Sequence, residues 1–171
     1  TTSPSVKLAL KASDADPSSG ISLMQFSSDG NVWTDWEPFV NFRAYDLPAP
    51  DGQKIVYFRV RDRAGNVADP TRAAIILDTA APLISNVRVV GLTDTSAIIT
   101  WSTDENADSG VDFGLSTAYG SSKLDPAFVT SHSVAIGGLT PTTTYHCRVQ
   151  SRDLAGNPPS YAGDYIFITT A

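Results

Sequence analysis

The sequence predicts an all-β protein built from two β-sandwich domains in tandem. Apolar and polar residues alternate along most of the chain, which is the period-2 pattern of strands that are buried on one face. Residues that favour turns recur about every eight to twelve positions, a spacing that is typical of sandwiches. No stretch shows the period of an amphipathic helix. At 171 residues the chain is long enough for two small domains, each with its own core.

The first half contains the signals of five strands. Val6, Leu8 and Leu10 fall on one face of the first strand, and Val56 and Phe58 fall on one face of a later strand together with Val60. Asp29-Gly30 supplies the positive φ that a tight hairpin needs. The predicted strands are SVKLALKAS, ISLMQFSS, VWTDWEPFV, KIVYFRVRD and AAIILD.

A small-residue stretch that ends in Pro82 marks the boundary between the two halves. We therefore predict domains at 1–79 and 80–171. The connection is so short that we expect the domains to be closely spaced and their relative motion to be limited. The second half repeats the alternating pattern in the predicted strands SAIITWST, DSGVDFG, SHSVAIGGL, TTYHCRVQSRD and GDYIFITT.

Composition narrows the range of functions. Hydrophobic residues make up 42% of the chain and charged residues 18%, as in ordinary globular domains. The formal net charge of −6 disfavours nucleic acid as a partner, since phosphate binding needs clustered Lys and Arg. No apolar run approaches the ~20 residues that a membrane-spanning helix needs, so we expect no membrane insertion. The single cysteine, Cys147, leaves no intrachain disulfide.

The motif Asp-x-Ala-Gly-Asn occurs twice, each time between the last two predicted strands of one half. The aspartate can accept hydrogen bonds from backbone N–H groups of the loop, the glycine permits positive φ, and the asparagine tolerates the left-handed region. We therefore interpret both copies as structural turns that need no ligand. Their residues are Asp62, Gly65 and Asn66 in the first copy and Asp153, Gly156 and Asn157 in the second.

Calcium is the alternative interpretation of this carboxylate-rich region. Calcium takes six to eight oxygen ligands, often from Asp and Asn side chains. In the first half the weak candidates are Asp14, Asp16, Asp62 and Asn66. Their spacing matches no EF-hand, so the structural interpretation is preferred and no cofactor is predicted.

The second half carries the signature of a tyrosine corner. Leu139, Pro141 and Tyr145 have the spacing at which the phenol hydroxyl hydrogen-bonds to the chain upstream. Trp101 lies on an earlier strand, where it can fill the space between two sheets. With these residues in this order, 80–171 resembles a fibronectin type III domain, and the stretch ENADSGVDFGLSTAYGSS resembles the variant found in secreted and surface multidomain proteins.

The first half has a different resemblance. Over about 5–79 the chain resembles a bacterial Ig-like module. The resemblance rests on the stretch MQFSSDGNVWTDWEPF, on a strand that ends in RDRAGNVA, and on the residues LDT that end the last strand. Such modules are often joined to fibronectin-like ones. The absence of a cysteine pair departs from immunoglobulins proper.

No catalytic or zinc site is predicted. His132 and His146 are fourteen positions apart, without the short ligand spacing of zinc sites. By strand alternation Cys147 faces the core and His146 faces outward, so the two cannot act together. Asp104 and Glu105 are adjacent carboxylates, whereas a glycoside hydrolase needs two opposed acids across a cleft.

An aromatic-rich stretch contains Trp33, Trp36, Phe39, Phe42 and Tyr45. We favour core packing for these rings. Because Trp33 and Trp36 differ in strand parity, we expect one of them to be exposed unless a bulge intervenes. The alternative is that Trp33 and Trp36 contact a glycan.

The resemblances imply a non-catalytic accessory module of a larger extracellular protein, secreted or attached to the cell surface. We expect it to act as a semi-rigid spacer or interaction unit whose partners are neighbouring domains of the parent chain. The alternative partners are a polysaccharide or a surface protein. The alternative function is carbohydrate binding through the exposed aromatic residues of the first domain.

Overall fold

The computed structural model describes residues 1–14 and 19–171. The chain forms two compact units, Thr1–Thr79 and Ala80–Ala171, called unit 1 and unit 2 below. Every regular element in the described residues is a β-strand, and each unit is a small β-sandwich. No helix that could span a membrane is found among the described residues.

Over its described residues, unit 1 has six strands in two sheets. A four-stranded antiparallel sheet has the order β3-β2-β5-β6, and a two-stranded antiparallel sheet pairs β1 with β4. The strands are β1 (Ser5–Ala9), β2 (Ile21–Ser27), β3 (Glu37–Pro38), β4 (Phe42–Asp46), β5 (Gly52–Asp62) and β6 (Thr71–Leu77).

The core of unit 1 follows from the alternation in its strands. In β5 the alternate residues Val56, Phe58 and Val60 are buried, as predicted, and their side chains pack with Met24 and Phe26 of β2. Leu8 of β1 lies against this cluster, and Tyr45 of β4 lies 5.7 Å from Phe26 between ring centroids. Full burial of one such apolar side chain stabilises the fold by about 1.5–3 kcal/mol. The buried members are Met24, Phe26, Leu47, Val56, Phe58, Val60 and Leu77.

Of the predicted strand from Val32 to Val40, only Glu37–Pro38 forms a strand, and the prediction is wrong for 32–36. The Asp29 carboxylate accepts hydrogen bonds from the backbone N–H of Asn31 at 2.8 Å and of Val32 at 2.9 Å. The N–H of Thr34 then donates to the Phe26 carbonyl at 2.8 Å. These bonds hold 31–36 as an irregular loop beside β2, so strand parity does not apply to the tryptophans in it.

Unit 2 has five strands, two of which run through both layers of the sandwich. They are β7 (Ile84–Val90), β8 (Ser96–Gly114), β9 (Ser121–Gly137), β10 (Thr144–Ser151) and β11 (Ser160–Ile168). The first half of β8 pairs with β7 and the end of β9. Its second half pairs with β10 and the start of β9, and β10 pairs with β11.

The sequence predicts two strands where β8 is continuous. Its pairing with β9 shifts register between Ser102 and Ala107 and again between Ala107 and Ser109. The strand bends there and passes from one layer to the other, as irregular ladder positions allow. Asp104 and Glu105 therefore lie within this bend of β8 and not in a loop.

The core of unit 2 lies between its two layers. Ala97, Ile99 and Trp101 alternate along the first half of β8 and are all nearly inaccessible to solvent. Cys147 and Val149 of β10 approach them from the other layer. The inward orientation predicted for Cys147 is confirmed. The other buried members are Val111, Val134, Ile136, Leu139, Tyr145 and Phe167.

Candidate functional site

The first copy of the repeated motif is an exposed turn closed by its own side chains. One carboxylate oxygen of Asp62 accepts from the backbone N–H of Asn66, and the other accepts from the Asn66 side-chain amide, both at 2.8 Å. The Asp62 N–H in turn donates to the Asn66 carbonyl at 3.0 Å. Gly65 has φ of +96°, a conformation that L side chains rarely adopt. Both carboxylate oxygens are therefore engaged by Asn66.

The second copy shares the two hydrogen bonds from asparagine to aspartate, but here both of these residues are buried. Asp153 accepts from the backbone N–H of Gly156 at 2.7 Å and of Asn157 at 3.1 Å through one oxygen, and from the Asn157 side chain at 2.9 Å through the other. Asp153 and Asn157 are each 4% exposed. The Asn157 amide also donates to the Ala80 carbonyl at 2.7 Å, which ties the start of unit 2 to this turn.

Both aspartates are held in the ionised form. The hydrogen bond from the Asn66 side chain lowers the pKa of Asp62 below its ordinary value. Burial by itself would raise the pKa of Asp153. The hydrogen bonds from Asn157 and Gly156 outweigh that effect, and the pKa of Asp153 is also lowered. Each carboxylate thus acts as an acceptor for its own loop at neutral pH.

The aspartates among the calcium candidates in unit 1 accept hydrogen bonds from N–H donors as far as the structure describes them. The Asp14 carboxylate accepts from the Gly20 backbone N–H at 2.9 Å. Asp62 and Asn66 bond to each other as described above. Asp16 lies outside the described residues. Calcium binding at this end of unit 1 stays an untested alternative.

The tyrosine-corner residues lie together at the start of β10. The Tyr145 hydroxyl accepts a hydrogen bond from the backbone N–H of Thr140 at 3.0 Å. Leu139 is buried beside it, and the Tyr145 ring lies 5.8 Å from the Phe167 ring. Pro141 follows in the turn between β9 and β10. The contact fixes the turn against the body of unit 2.

Trp101 is part of a buried polar network that the sequence analysis missed. Its indole N–H donates to the Ser151 hydroxyl at 2.9 Å, and its ring stacks on His132 at 4.8 Å between centroids. The two ring nitrogens of His132 lie 2.8 Å from the hydroxyls of Thr103 and Ser109. The sequence did contain a signal for the burial of His132. In SHSVAI it alternates with polar or small residues in step with Val134 and Ile136, which are buried.

The hydrogen bonds assign the state of His132. The Thr103 hydroxyl donates to the Glu105 carbonyl at 2.6 Å, so it accepts from Nε2–H of the imidazole. Ser109 then donates to Nδ1. Burial lowers the pKa of His132, and the negative charge of Asp108 opposes that shift in part. The imidazole is therefore a neutral structural group with no lone pair left for a metal.

The other groups considered for zinc or nucleophilic chemistry are also separated or bonded. His146 lies 2.6 Å from the Asp164 carboxylate on the outer side of β10. Cys147 is buried next to it on the opposite face, and burial raises its pKa to about 11. The thiol is protonated at neutral pH and lies apart from a catalytic base.

The adjacent carboxylates in β8 do not form a hydrolase pair. Asp104 accepts a hydrogen bond from the Leu83 backbone N–H at 2.7 Å and is exposed. Glu105 is partly buried, and neighbours in a strand point to opposite faces. Two acids on opposite faces of one strand cannot flank a glycosidic bond.

The aromatic stretch divides between core and surface. Phe39 and Tyr45 pack against the core of unit 1, whereas Phe42 is 59% exposed. Trp33 and Trp36 are both partly exposed. Core packing was therefore wrong for the two tryptophans and Phe42, because the loop carries the tryptophans outside the space between the sheets.

Both tryptophans contact arginines that project from β5. The guanidinium of Arg59 lies 4.0 Å from the centroid of the Trp33 ring and 5.7 Å from that of Trp36. The guanidinium of Arg61 lies 4.9 Å from the Trp36 centroid. The four side chains thus form one cluster on the outer face of the four-stranded sheet.

Unit 1 also has an open cleft of about 420 Å³ beside β1 and β6. Its apolar lining comes from Leu8, Leu10, Val56 and Phe58, and Lys7 also lines it. Among the lining residues, all of which the structure describes, there is no carboxylate, histidine or cysteine. The cleft offers apolar surface without acid–base or nucleophilic groups.

The geometry of unit 2 defines a β-sandwich whose polar groups are used for structure. Unit 2 combines the long strands β8 and β9 with the tyrosine corner and the buried Trp101, and residues 80–162 match the model of the fibronectin type III family. This part of the chain is a fibronectin type III domain. The match does not extend to unit 1.

Two similar proteins are glucanases of Cellulomonas fimi. The chain is 32% identical over 102 residues to endoglucanase B and 34% identical over 107 residues to exoglucanase B. Each match covers 58% of this chain and 10% of the relative, so the chain spans about a tenth of their length.

A solved structure of titin domains shares the fold. It covers 98% of this chain and 59% of its own, with a TM-score of 0.60 and 16% sequence identity. At this identity the likeness shows the fold and nothing about function.

Proposed function

We propose that the chain is a non-catalytic accessory part of a larger extracellular protein, in which it acts as a spacer or interaction unit. The observation that carries this proposal is the match to about a tenth of two modular glucanases, with a fibronectin type III domain at 80–162. A domain that is a small part of two long enzymes is suited to connecting or positioning other domains. Secretion or cell-surface attachment is part of the same proposal.

We propose further that unit 1 is an Ig-like module. Its strands form two sheets around one core, with β5 and β6 as the closing hairpin and a turn motif between them. The core is formed by apolar packing without a disulfide. On this proposal the parent protein contains a tandem pair of different sandwich modules.

The carboxylates of unit 2 support a structural role. Asp104 and Asp153 both accept hydrogen bonds from backbone N–H groups of the same unit. A catalytic carboxylate in a glycosidase has to face its partner across a cleft. The proposal therefore assigns them to the fold and not to chemistry.

One experiment addresses catalysis and spacing separately. The purified 171-residue chain is incubated with soluble and insoluble glucans, and we expect no release of reducing sugar. In the parent protein, the chain is replaced by a Gly/Ser linker of equal contour length. We expect turnover of a soluble substrate to be unchanged and turnover of an insoluble polymer to fall.

Two results would contradict this proposal. Turnover by the isolated chain that a D104N or D153N variant abolishes would make it an enzyme. An unchanged rate on the insoluble polymer after linker replacement would remove the spacer role.

A second candidate is polysaccharide binding through unit 1. The observation that favours it is the partial exposure of both Trp33 and Trp36 on one side of the sheet. Retention of the chain on insoluble polysaccharide, lost in W33A and W36A, would support it. A matched control is F42A, which removes an exposed ring from β4 in the other sheet.

A further inference from the structure

The outer face of the four-stranded sheet carries an unusual combination of aromatic and cationic side chains. Trp33, Trp36, Arg59 and Arg61, called the Trp–Arg patch, are linked by ring-to-guanidinium distances of 4.0–5.7 Å. The two arginines alternate with the buried residues of β5, so they project away from the core. The patch is a single surface made of two indoles and two positive charges.

A hydrogen bond to the buried side chain of Gln25 fixes the position of Arg59. Its Nε–H donates to the Gln25 side-chain oxygen at 3.2 Å, and the Gln25 amide donates to the Thr34 carbonyl at 3.0 Å. Gln25 is 4% exposed, so it is a firm anchor. The remaining N–H groups of Arg59 are not used by this anchor.

The arginines of the patch lack a carboxylate partner within the described residues. Arg43 and Arg148, by contrast, each donate to a carboxylate, at 2.7 Å to Glu37 and 2.8 Å to Asp112. Arg59 and Arg61 instead stack on indole rings. The N–H groups of a guanidinium lie in its plane, so stacking on a ring leaves them free to point sideways. A carboxylate can accept two parallel hydrogen bonds from them there.

This chemistry selects an anionic sugar over a neutral one. A neutral sugar would use only the indole rings by stacking, whereas the two guanidinium groups beside the rings add a charge-assisted site for a carboxylate. We propose that the Trp–Arg patch binds a polysaccharide that carries carboxylates, with the uronate group on Arg59 or Arg61 and the apolar side of the pyranose ring against Trp33 or Trp36. This inference rests on the polysaccharide-binding candidate function and not on the spacer role.

The inference is tested with the 171-residue chain in affinity electrophoresis. The gel contains polygalacturonate, the same polymer fully methyl-esterified, or no polymer. We expect retardation by the charged polymer and none by the ester, and a retardation that weakens as salt rises. R59Q and R61Q should each weaken binding at least tenfold. R72Q is the matched control, because Arg72 is exposed on the same face of the sheet, on β6, without a described ring contact.

Each outcome decides the inference. Loss of binding in R59Q and R61Q with retention in R72Q supports it, provided that the melting temperatures of all variants stay within a few degrees of wild type. Equal loss in R72Q, or no retardation by polygalacturonate, overturns it. Binding of the neutral ester that W33A abolishes and R59Q leaves intact would overturn the acidic specificity while keeping the polysaccharide-binding candidate.

Discussion

The most direct prediction compares the two copies of the repeated motif through the variants D153N and D62N. The change keeps the size of the side chain but replaces one acceptor oxygen with an NH₂ group. In unit 2 the new NH₂ group faces the side-chain NH₂ of Asn157, so two donors oppose each other. If the Asn157 amide flips to present its oxygen instead, it loses its hydrogen bond to the Ala80 carbonyl. Because Asp153 is buried, water cannot replace the lost bond.

The magnitude follows from the three hydrogen bonds to Asp153. Hydrogen bonds to a charged group contribute about 1.5–3 kcal/mol and neutral ones about 0.5–1.5 kcal/mol. Loss of one bond and weakening of two therefore removes about 3 kcal/mol from the free energy of unfolding of unit 2. At roughly 4–8 °C per kcal/mol for a domain of this size, its Tm should fall by about 15 °C.

The assay is urea unfolding of the full chain, with amide hydrogen exchange to assign each transition to its unit. D62N is the matched control. It disrupts the same pair of Asn hydrogen bonds, but water can reach the Asp62 side chain, so unit 1 should lose clearly less stability. Equal losses of stability in the two variants would refute the argument that burial determines how much the motif contributes to stability. So would a loss below about 1 kcal/mol in D153N.

Four further predictions concern unit 2 and bound ions. Y145F leaves the Thr140 N–H without its acceptor and should lower the stability of unit 2 by about 1–2 kcal/mol in the same urea assay. Since burial lowers the pKa of His132, folding favours the neutral imidazole, so stability should fall as pH drops below the ordinary pKa of 6.5. The slope of Tm between pH 7.5 and 5 should flatten in H132Q. Cys147 should react with a thiol reagent at pH 8 in urea and not in native buffer, because its pKa is raised to about 11. A chelator should leave the melting curve unchanged, and a drop of several degrees would instead establish a bound calcium.

The strand pattern allowed most of the fold to be predicted from sequence. The alternation of Val56 and Phe58, and of Ile99 and Trp101, places these residues in the cores where the structure has them. The period-2 signal depends on burial of one face and is therefore strong wherever a strand covers a core. It identified the strand before and after the bend in β8 but not their continuity, because a bend that keeps the ladder has no distinct residue pattern.

The error in the aromatic stretch has a local cause. Trp33 and Trp36 have high strand propensity, and the sequence around them alternates well enough to suggest a strand. The Asp29 carboxylate instead captures two backbone N–H groups of the following residues, which turns the chain out of the ladder. Local hydrogen bonding of this type competes with sheet formation, and propensity gives no account of it.

The two Asp-x-Ala-Gly-Asn turns separate what local sequence determines from what the fold determines. The hydrogen bonds of Asp62 to Asn66 and of Asp153 to Asn157 are alike, since five consecutive residues are sufficient to form them. Their environments differ, because Asp153 pairs with Ala107 at the bend of β8. A motif can therefore be recognised as a turn from sequence alone, while its contribution to stability depends on which strand the fold places beside it.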